Sequence, residues 1–314
     1  MAKDLYQDAI SQYREALSMS HSSQDRLALS LALVKAGQLN EAAIYLRELL
    51  RADPGSAPAN LGLAGVYAQE GHIDEALGYY HHAIDGVWPA NAAERRFQTR
   101  LELIQVLGKA GRRQQAQAEL LSTLTTLPND IAFRKRVAPL LLAYGLPKEA
   151  ADLFRDIAQR DSQEETAFAG LGEAEFDLTH YSAARDALLT ALRLSPNDAA
   201  VQKRLDACDR IIALDPTARG LGAIERFQRS QKVLGGVLDA LDKCAPSNLR
   251  EAMDTARRSL EKDPHPRSLS DAAENETAAA ERLWAAGAAS VKGCGAWPAA
   301  DSPLSRVMAK LMAR

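Results

Sequence analysis

Gly37 and Gly71 stand 34 residues apart, and so do Gly111 and Gly145. The interval between the two pairs is 40, six longer, and Thr179 stands at the next step of 34. Self-similarity at such a period marks a repeat architecture. It constrains a chain more than any local motif, because each repeat buries its apolar face only against its neighbours.

Around every member of this ladder the same spacing recurs. Five residues later comes a small residue: Ala42, Ala76, Ala116, Ala150, Ala184. Four further comes a large apolar one, Leu46, Tyr80, Leu120, Phe154 or Leu188, and three further Leu49, Ala83, Thr123, Ile157 or Ala191. Steps of four and three keep these positions on one helical face. A second periodic run precedes each glycine, for example Leu29, Leu33 and Val34, or Leu63 and Tyr67. Each unit reads as helix, left-handed turn, helix, with glycine ending the first helix. Alanine lets two helices cross closely, where a larger side chain would overpack. Pro54, Pro128 and Pro196 close three units, and Pro128-Asn129-Asp130 and Pro196-Asn197-Asp198 supply N-caps for the next helix.

The pattern resembles the tetratricopeptide repeat. The clearest unit carries Leu63, Ala64, Tyr67, Gly71, Glu75-Ala76, Tyr80 and Ala83, and the fifth carries Leu171-Gly172, Tyr181, Ala184, Leu188, Ala191 and Pro196. No tryptophan stands early in any unit, Ser162 replaces a closing proline, and Glu175 stands where an aromatic or leucine is usual. The resemblance implies an all-α fold: a right-handed superhelical α-solenoid of stacked helix-turn-helix repeats with a C-terminal helical cap. We expect the array over 1–214: a half repeat at 4–22, repeats near 23–56, 57–90, 97–130, 131–164 and 165–198, and a partial repeat at 199–214.

The array has irregular ends. Tyr6, Ala9, Tyr13 and Ala16 reproduce a second helix whose first helix is missing. A lone N-terminal cap is one reading. Loss of an upstream segment is the other, favoured because the half unit keeps its full apolar pattern. The six extra residues fall between Gly86 and Arg95, so a longer loop and a longer following helix are expected, with Trp88 over an inter-repeat seam rather than standing out as a binding aromatic. After Asp215-Pro216 the glycine turn is lost, and 215–314 reads as a helical capping region. Its expected helices are Arg219–Lys243, where Gly235-Gly236 allows a kink or close packing, Asn248–Lys262, Asp271–Lys292 and Pro303–Ala313. Asp263-Pro264-His265-Pro266 separates the second from the third.

Charge and chemistry exclude several function classes. Residues 1–200 hold 20 basic and 26 acidic side chains and residues 201–314 hold 18 and 15, so neither part has the basic field that nucleic-acid binding needs. Arg95-Arg96, Arg112-Arg113 and Arg134-Lys135-Arg136 read as solvated helix faces. No apolar run is long enough for a membrane span, and no signal peptide stands in this chain. The default localisation is therefore cytoplasmic; a periplasmic or anchored protein follows if an upstream segment is missing. Three cysteines without a CxxC pair argue against a metal site or a disulfide scaffold, although Cys244 and Cys294, each after a helix, could pair in an exported protein. His72, His81 and His82 lack metal-ligand spacing, and His21, His180 and His265 fall at turns or linkers. Glu173 and Asp177 share one helix face, which is not two carboxylates across a cleft. No catalytic residue, metal site or cofactor is read from the sequence.

In the tetratricopeptide family the first helices line the inner wall. Carried onto this chain, that wall holds Leu27, Leu31 and Val34, then Leu61, Gly65 and Ala68, then Gln98, Leu101, Gln105, Gly108 and Lys109. It continues with Lys135, Pro139 and Leu142, then Ala169, Glu173 and Phe176, then Lys203 and Ala207. The family's Lys-x-x-x-Asn clamp for chaperone tails is absent, so that partner is not expected. An apolar groove suits a protein segment with apolar anchors, and a non-enzymatic scaffold or adaptor is the expected function. The alternative is a regulatory or targeting fragment of a larger, N-terminally truncated protein. The structural set behind the wall is Gly37, Ala42, Gly71, Ala76, Gly111, Ala116, Gly145, Ala150, Gly172 and Ala184.

Overall fold

The computed structural model describes residues 2–20, 22–244, 246–261, 265, 268–291 and 294–313. His21, part of the Asp263–Pro266 break, and the expected helix ends at Lys262 and Lys292 lie outside the described residues. Sixteen α-helices and a short 3-10 turn make up the described secondary structure, without strands. The chain forms two compact units, residues 1–133 and 134–314. The division falls inside a helix of the fourth repeat.

The first unit contains α1 (Ala2–Met19), α2 (Ser23–Ala36), α3 (Leu39–Ala52), α4 (Ala57–Glu70), α5 (Ile73–Asp85), α6 (Ala92–Lys109), α7 (Arg113–Thr125) and the first turn of α8 (Ile131–Ala143). The second contains the rest of α8, then α9 (Pro147–Arg160), α10 (Glu165–Asp177), α11 (Tyr181–Leu194) and α12 (Ala199–Leu214). It continues with α13 (Ala223–Cys244), α14 (Arg250–Leu260), α15 (Leu269–Ser290) and α16 (Pro303–Met312). Helices α2 to α7 and α9 to α12 pack in sequential order within each unit, and α1 packs on α2.

Every rung of the glycine ladder forms the same cap. Gly37, Gly71, Gly111 and Gly145 have φ of 78°, 83°, 73° and 78°, and Thr179 follows them with φ 63°. At each, the capping N–H bonds the carbonyl three residues back and the next N–H bonds the carbonyl five back, as in Gly37 to Val34 and Gln38 to Leu33, or Thr179 to Phe176 and His180 to Glu175. The left-handed cap thus satisfies carbonyls that the helix end leaves open. The five alanines after the ladder are all fully buried. Asp198 caps α12 through Ala200 N and Val201 N, as its Pro-Asn-Asp signal predicts.

The large apolar residue of one unit meets the first helix of the next. A Cβ on Gly62 would lie 2.7 Å from Leu46, and one on Gly170 only 2.3 Å from the Phe154 ring. Both pairs are sixteen residues apart, and Tyr80 meets Glu102 at twenty-two, sixteen plus the insertion. There the contact is a hydrogen bond, 2.9 Å from the Tyr80 hydroxyl to Glu102 Oε1. The insertion gives α6 eighteen residues against fourteen in α4. Its loop is pinned by Val87 N to Gly55 O at 2.9 Å and Ala57 N to Val87 O at 3.2 Å.

In the second unit α13 replaces the next repeat and pairs chiefly with α15. Gly236 allows close packing, since a Cβ there would stand 3.3 Å from Leu304 of α16. Helix α16 buries Val307, Met308 and Leu311 and ties Lys310 to the buried Asp215 at 2.5 Å. Burial alone would raise the Asp215 pKa; Lys310 and Thr217 outweigh it and hold the carboxyl below its usual range. A disulfide joins Cys244 to Cys294, and Trp284 packs against Trp297 beside it at 4.6 Å between ring centroids.

Two stability measurements test this construction. Thr179→Gly should stabilise the second unit by about 1 kcal/mol, because a β-branched residue is strained at positive φ. Gly170→Ala should destabilise it by about 1–3 kcal/mol through overpacking on Phe154, so urea midpoints should move in opposite directions. Replacing Cys244 and Cys294 together by serine should cost about 4 kcal/mol for a loop of this length, seen as an earlier loss of the near-ultraviolet signal of Trp284 and Trp297.

Candidate functional site

The six-residue insertion shapes a hollow in the first unit. It has a volume of about 390 Å³ and is lined by Leu61, Trp88, Asn91, Glu94, Arg95, Gln98, Thr99 and Glu102. Trp88 is half-buried and donates its indole N–H to Ala83 O at 2.9 Å, so its ring is fixed as a wall of the hollow. The hydrogen bond from Tyr80 holds Glu102, while burial, then Glu102, raises the Tyr80 pKa and keeps its hydroxyl a donor. The lining is mostly polar. Leu61 and Gln98, which the family resemblance places on one wall, both line this hollow. Gln105 and Lys109 stand exposed further along α6, and Leu101 is buried, 8% exposed. Leu27 is half-buried, while Leu31 reaches solvent beside Gly62.

A second hollow, of about 240 Å³, lies in the second unit among α8, α9 and α10. Lys135, Pro139 and Leu142 form one side, Thr166, Ala167 and Gly170 the other, and Phe154 and Ile157 the floor. Positions 135, 139 and 142 are the three that helical spacing places on one face of α8. Gly170 is the bare backbone against which the Phe154 ring lies, which sets the ring as part of the floor. Lys135 stands at the rim, paired with Glu164 and 3.6 Å from Asp161. That contact raises the Lys135 pKa, and Lys135, then Thr166, holds the Glu164 carboxyl below its usual range.

The fifth and sixth repeats differ from the expected wall. Phe176 is 1% exposed, with the guanidinium of Arg204 4.4 Å and that of Arg306 5.0 Å from its ring centroid. Arg306 belongs to α16, so the C-terminal helix covers this part of α10. Glu173 is held by Arg204 at 2.8 Å, whereas Lys203 is exposed. Glu175, the oddity of the fifth unit, is a buried carboxylate shared by Arg155 at 2.6 Å and His180 at 2.8 Å.

Of the expected wall, Leu61 and Gln98 line the first hollow and Lys135, Pro139 and Leu142 the second, while Trp88, Phe154, Ile157, Thr166, Ala167 and Gly170 line them without having been expected there. The first three come from a second helix or a loop, which counting along first helices leaves out. Among the described residues no group of three or more histidine, cysteine or acidic side chains could hold a metal ion. No described helix is long and apolar enough to cross a membrane. Cys208 is buried and its thiol pKa is pushed up to about 11 by burial, which leaves it a poor nucleophile. The rim ion pair has a direct test: Lys135→Met should raise the Glu164 pKa toward its ordinary value in a carboxyl NMR titration. Because a depressed carboxyl pKa favours folding above the unfolded value, the wild-type pair loses its contribution as pH falls through the Glu164 folded-state pKa.

Residues 33–84 match the tetratricopeptide repeat family. No curated protein matches the chain. Among solved structures, YrrB, described as a TPR protein with an unusual peptide-binding site, is 19% identical and aligns over 61% of this chain and 96% of its own, with a TM-score of 0.44. The C-terminal part of a TPR repeat-containing protein from Cytophaga hutchinsonii is 15% identical over 85% of this chain and 96% of its own, with a TM-score of 0.42. PilF of Pseudomonas aeruginosa is 17% identical over 70% and 96%, with a TM-score of 0.35. The match runs from within the first repeat through most of the second, so residues 33–84 carry the tetratricopeptide repeat, and the same left-handed cap recurs at all five rungs.

Proposed function

We propose that this protein is a non-enzymatic interaction scaffold that receives a segment of another protein along the first-helix face of its repeats. Tetratricopeptide folds generally mediate protein–protein interaction and are typically non-enzymatic. The observation that carries the reading here is the hollow over Phe154 and Ile157. It is apolar, open, rimmed by one lysine and sized for a single large side chain. An extended or helical segment presenting leucine, methionine or phenylalanine would bury that side chain there, which contributes roughly 1.5–3 kcal/mol. In the first unit, the polar hollow beside Trp88 would take hydrogen-bonding groups. Gln105, Lys109 and Lys203 are further contact positions in the proposal.

The Cys244–Cys294 disulfide supports an oxidising compartment for the working protein. This favours the exported reading over the cytoplasmic default, and it leaves the interaction role unchanged.

The test is selection from a displayed peptide library against the full chain. Selected peptides should share a large apolar residue and bind at least roughly tenfold more weakly, about 1.4 kcal/mol, to Leu142→Glu. Circular dichroism should show that the variant remains folded. Peptides without a shared apolar residue, or equal binding by Leu142→Glu, would remove this assignment.

A further inference from the structure

A separate cleft of about 430 Å³ opens in the first unit between the end of α5, the first turns of α6 and the end of α7. It uses Arg96, Phe97 and Arg100 of α6, whereas the hollow beside Trp88 uses Arg95, Gln98 and Thr99. Arg96 and Arg100 are one helical turn apart, so both guanidiniums serve the same cleft. Their protein partners are neutral. Arg96 Nη2 donates to Gly86 O at 3.1 Å and Arg100 Nη1 donates to Thr126 Oγ1 at 2.9 Å. Arg100 Nε is buried without an acceptor among the described residues. Arg14, Arg26 and Arg112 of the same unit each stand beside a carboxylate, and Arg96 and Arg100 have none within ion-pair distance among the described residues.

We propose that this cleft binds a small organic monocarboxylate. The oxyanion sits on the Arg96 and Arg100 guanidiniums, and an apolar body lies against Phe97 and Pro128. Three features select this class. A guanidinium fork matches a planar carboxylate, which accepts two parallel N–H bonds. Asp85 also lines the cleft, so its formal charge is +1, which a monoanion neutralises and a phosphate dianion reverses. The volume falls within the range of small-molecule sites and below what an extended polypeptide would fill.

Isothermal titration of the full chain with benzoate tests the assignment, with benzamide and phenyl phosphate as comparison ligands. Benzoate should bind, and benzamide, isosteric but uncharged, should bind at least roughly tenfold more weakly. Arg96→Gln and Arg100→Gln should each weaken benzoate by a similar factor. Asp85→Asn should strengthen it, a gain that misfolding could not produce. Equal affinity for benzoate and benzamide, unchanged affinity in both arginine variants, or tighter binding of phenyl phosphate would each overturn the proposal. So would the absence of benzoate binding together with that of the aliphatic 4-methylpentanoate. Peptide selection on Leu142→Glu reads the other unit, so the two proposals fail independently.

Discussion

One contact recurs through the repeats: a large side chain of a second helix lies against the first helix of the next unit sixteen residues on. Leu46 lies on Gly62 and Phe154 on Gly170, each against bare backbone. Repeats of this size cannot hold a core alone, so this contact, with the buried alanine beside it, joins one hairpin to the next. The positions have little freedom. A Cβ at either glycine overlaps the facing side chain, and a smaller facing residue would leave a void costing roughly 2–5 kcal/mol if leucine became alanine. The left-handed cap turns the chain from first helix to second within a unit, and this contact then joins that second helix to the unit that follows.

That constraint explains why the hollows lie where they do. Six extra residues between Tyr80 and its facing position carry the chain outward before α6 begins. The partner of Tyr80 becomes Glu102, and a hydrogen bond replaces apolar contact. A carboxylate can serve there because the tyrosine hydroxyl satisfies it, and the hollow beside Trp88 is polar in consequence. In the second unit, Phe154 on Gly170 and Pro139 on α8 leave an apolar recess. Proline lacks the N–H that a helix interior uses, and the glycine lets the Phe154 ring lie directly on backbone as the floor of the recess.

The sequence was most legible where a single backbone conformation forced a residue type. The ladder predicted every cap, and Thr179 held its place in the series without being glycine. Steps of three and four placed Lys135, Pro139 and Leu142 on one face of α8, and the family resemblance put Leu61 and Gln98 on one wall. Spacing was silent where contacts join distant segments. Nothing near Phe176 in sequence announces that Arg306 will cover it, and nothing near Glu175 names Arg155. The disulfide was legible in part: cysteine count argued against a disulfide scaffold, the position of Cys244 and Cys294 after helices left that one pair open, and the two meet where α13 and α15 pack side by side.

The C-terminal helices solve a problem that the repeats create. A stack of hairpins always ends on an apolar face with no next unit to cover it. Here Leu205, Cys208 and Ile211 of α12 form that face, and Val233, Val237, Val307 and Met308 share its core. Another repeat would have offered the same surface again. Helices α13 to α16 instead close it with a different arrangement, fastened by Lys310 to Asp215 and by Cys244 to Cys294. Closure has a consequence for binding. Because α16 also covers Phe176, that part of α10 is closed while the recess over Phe154 and Ile157 stays open, so on the proposed reading the end of the stack helps to decide where along the repeats a partner side chain would enter.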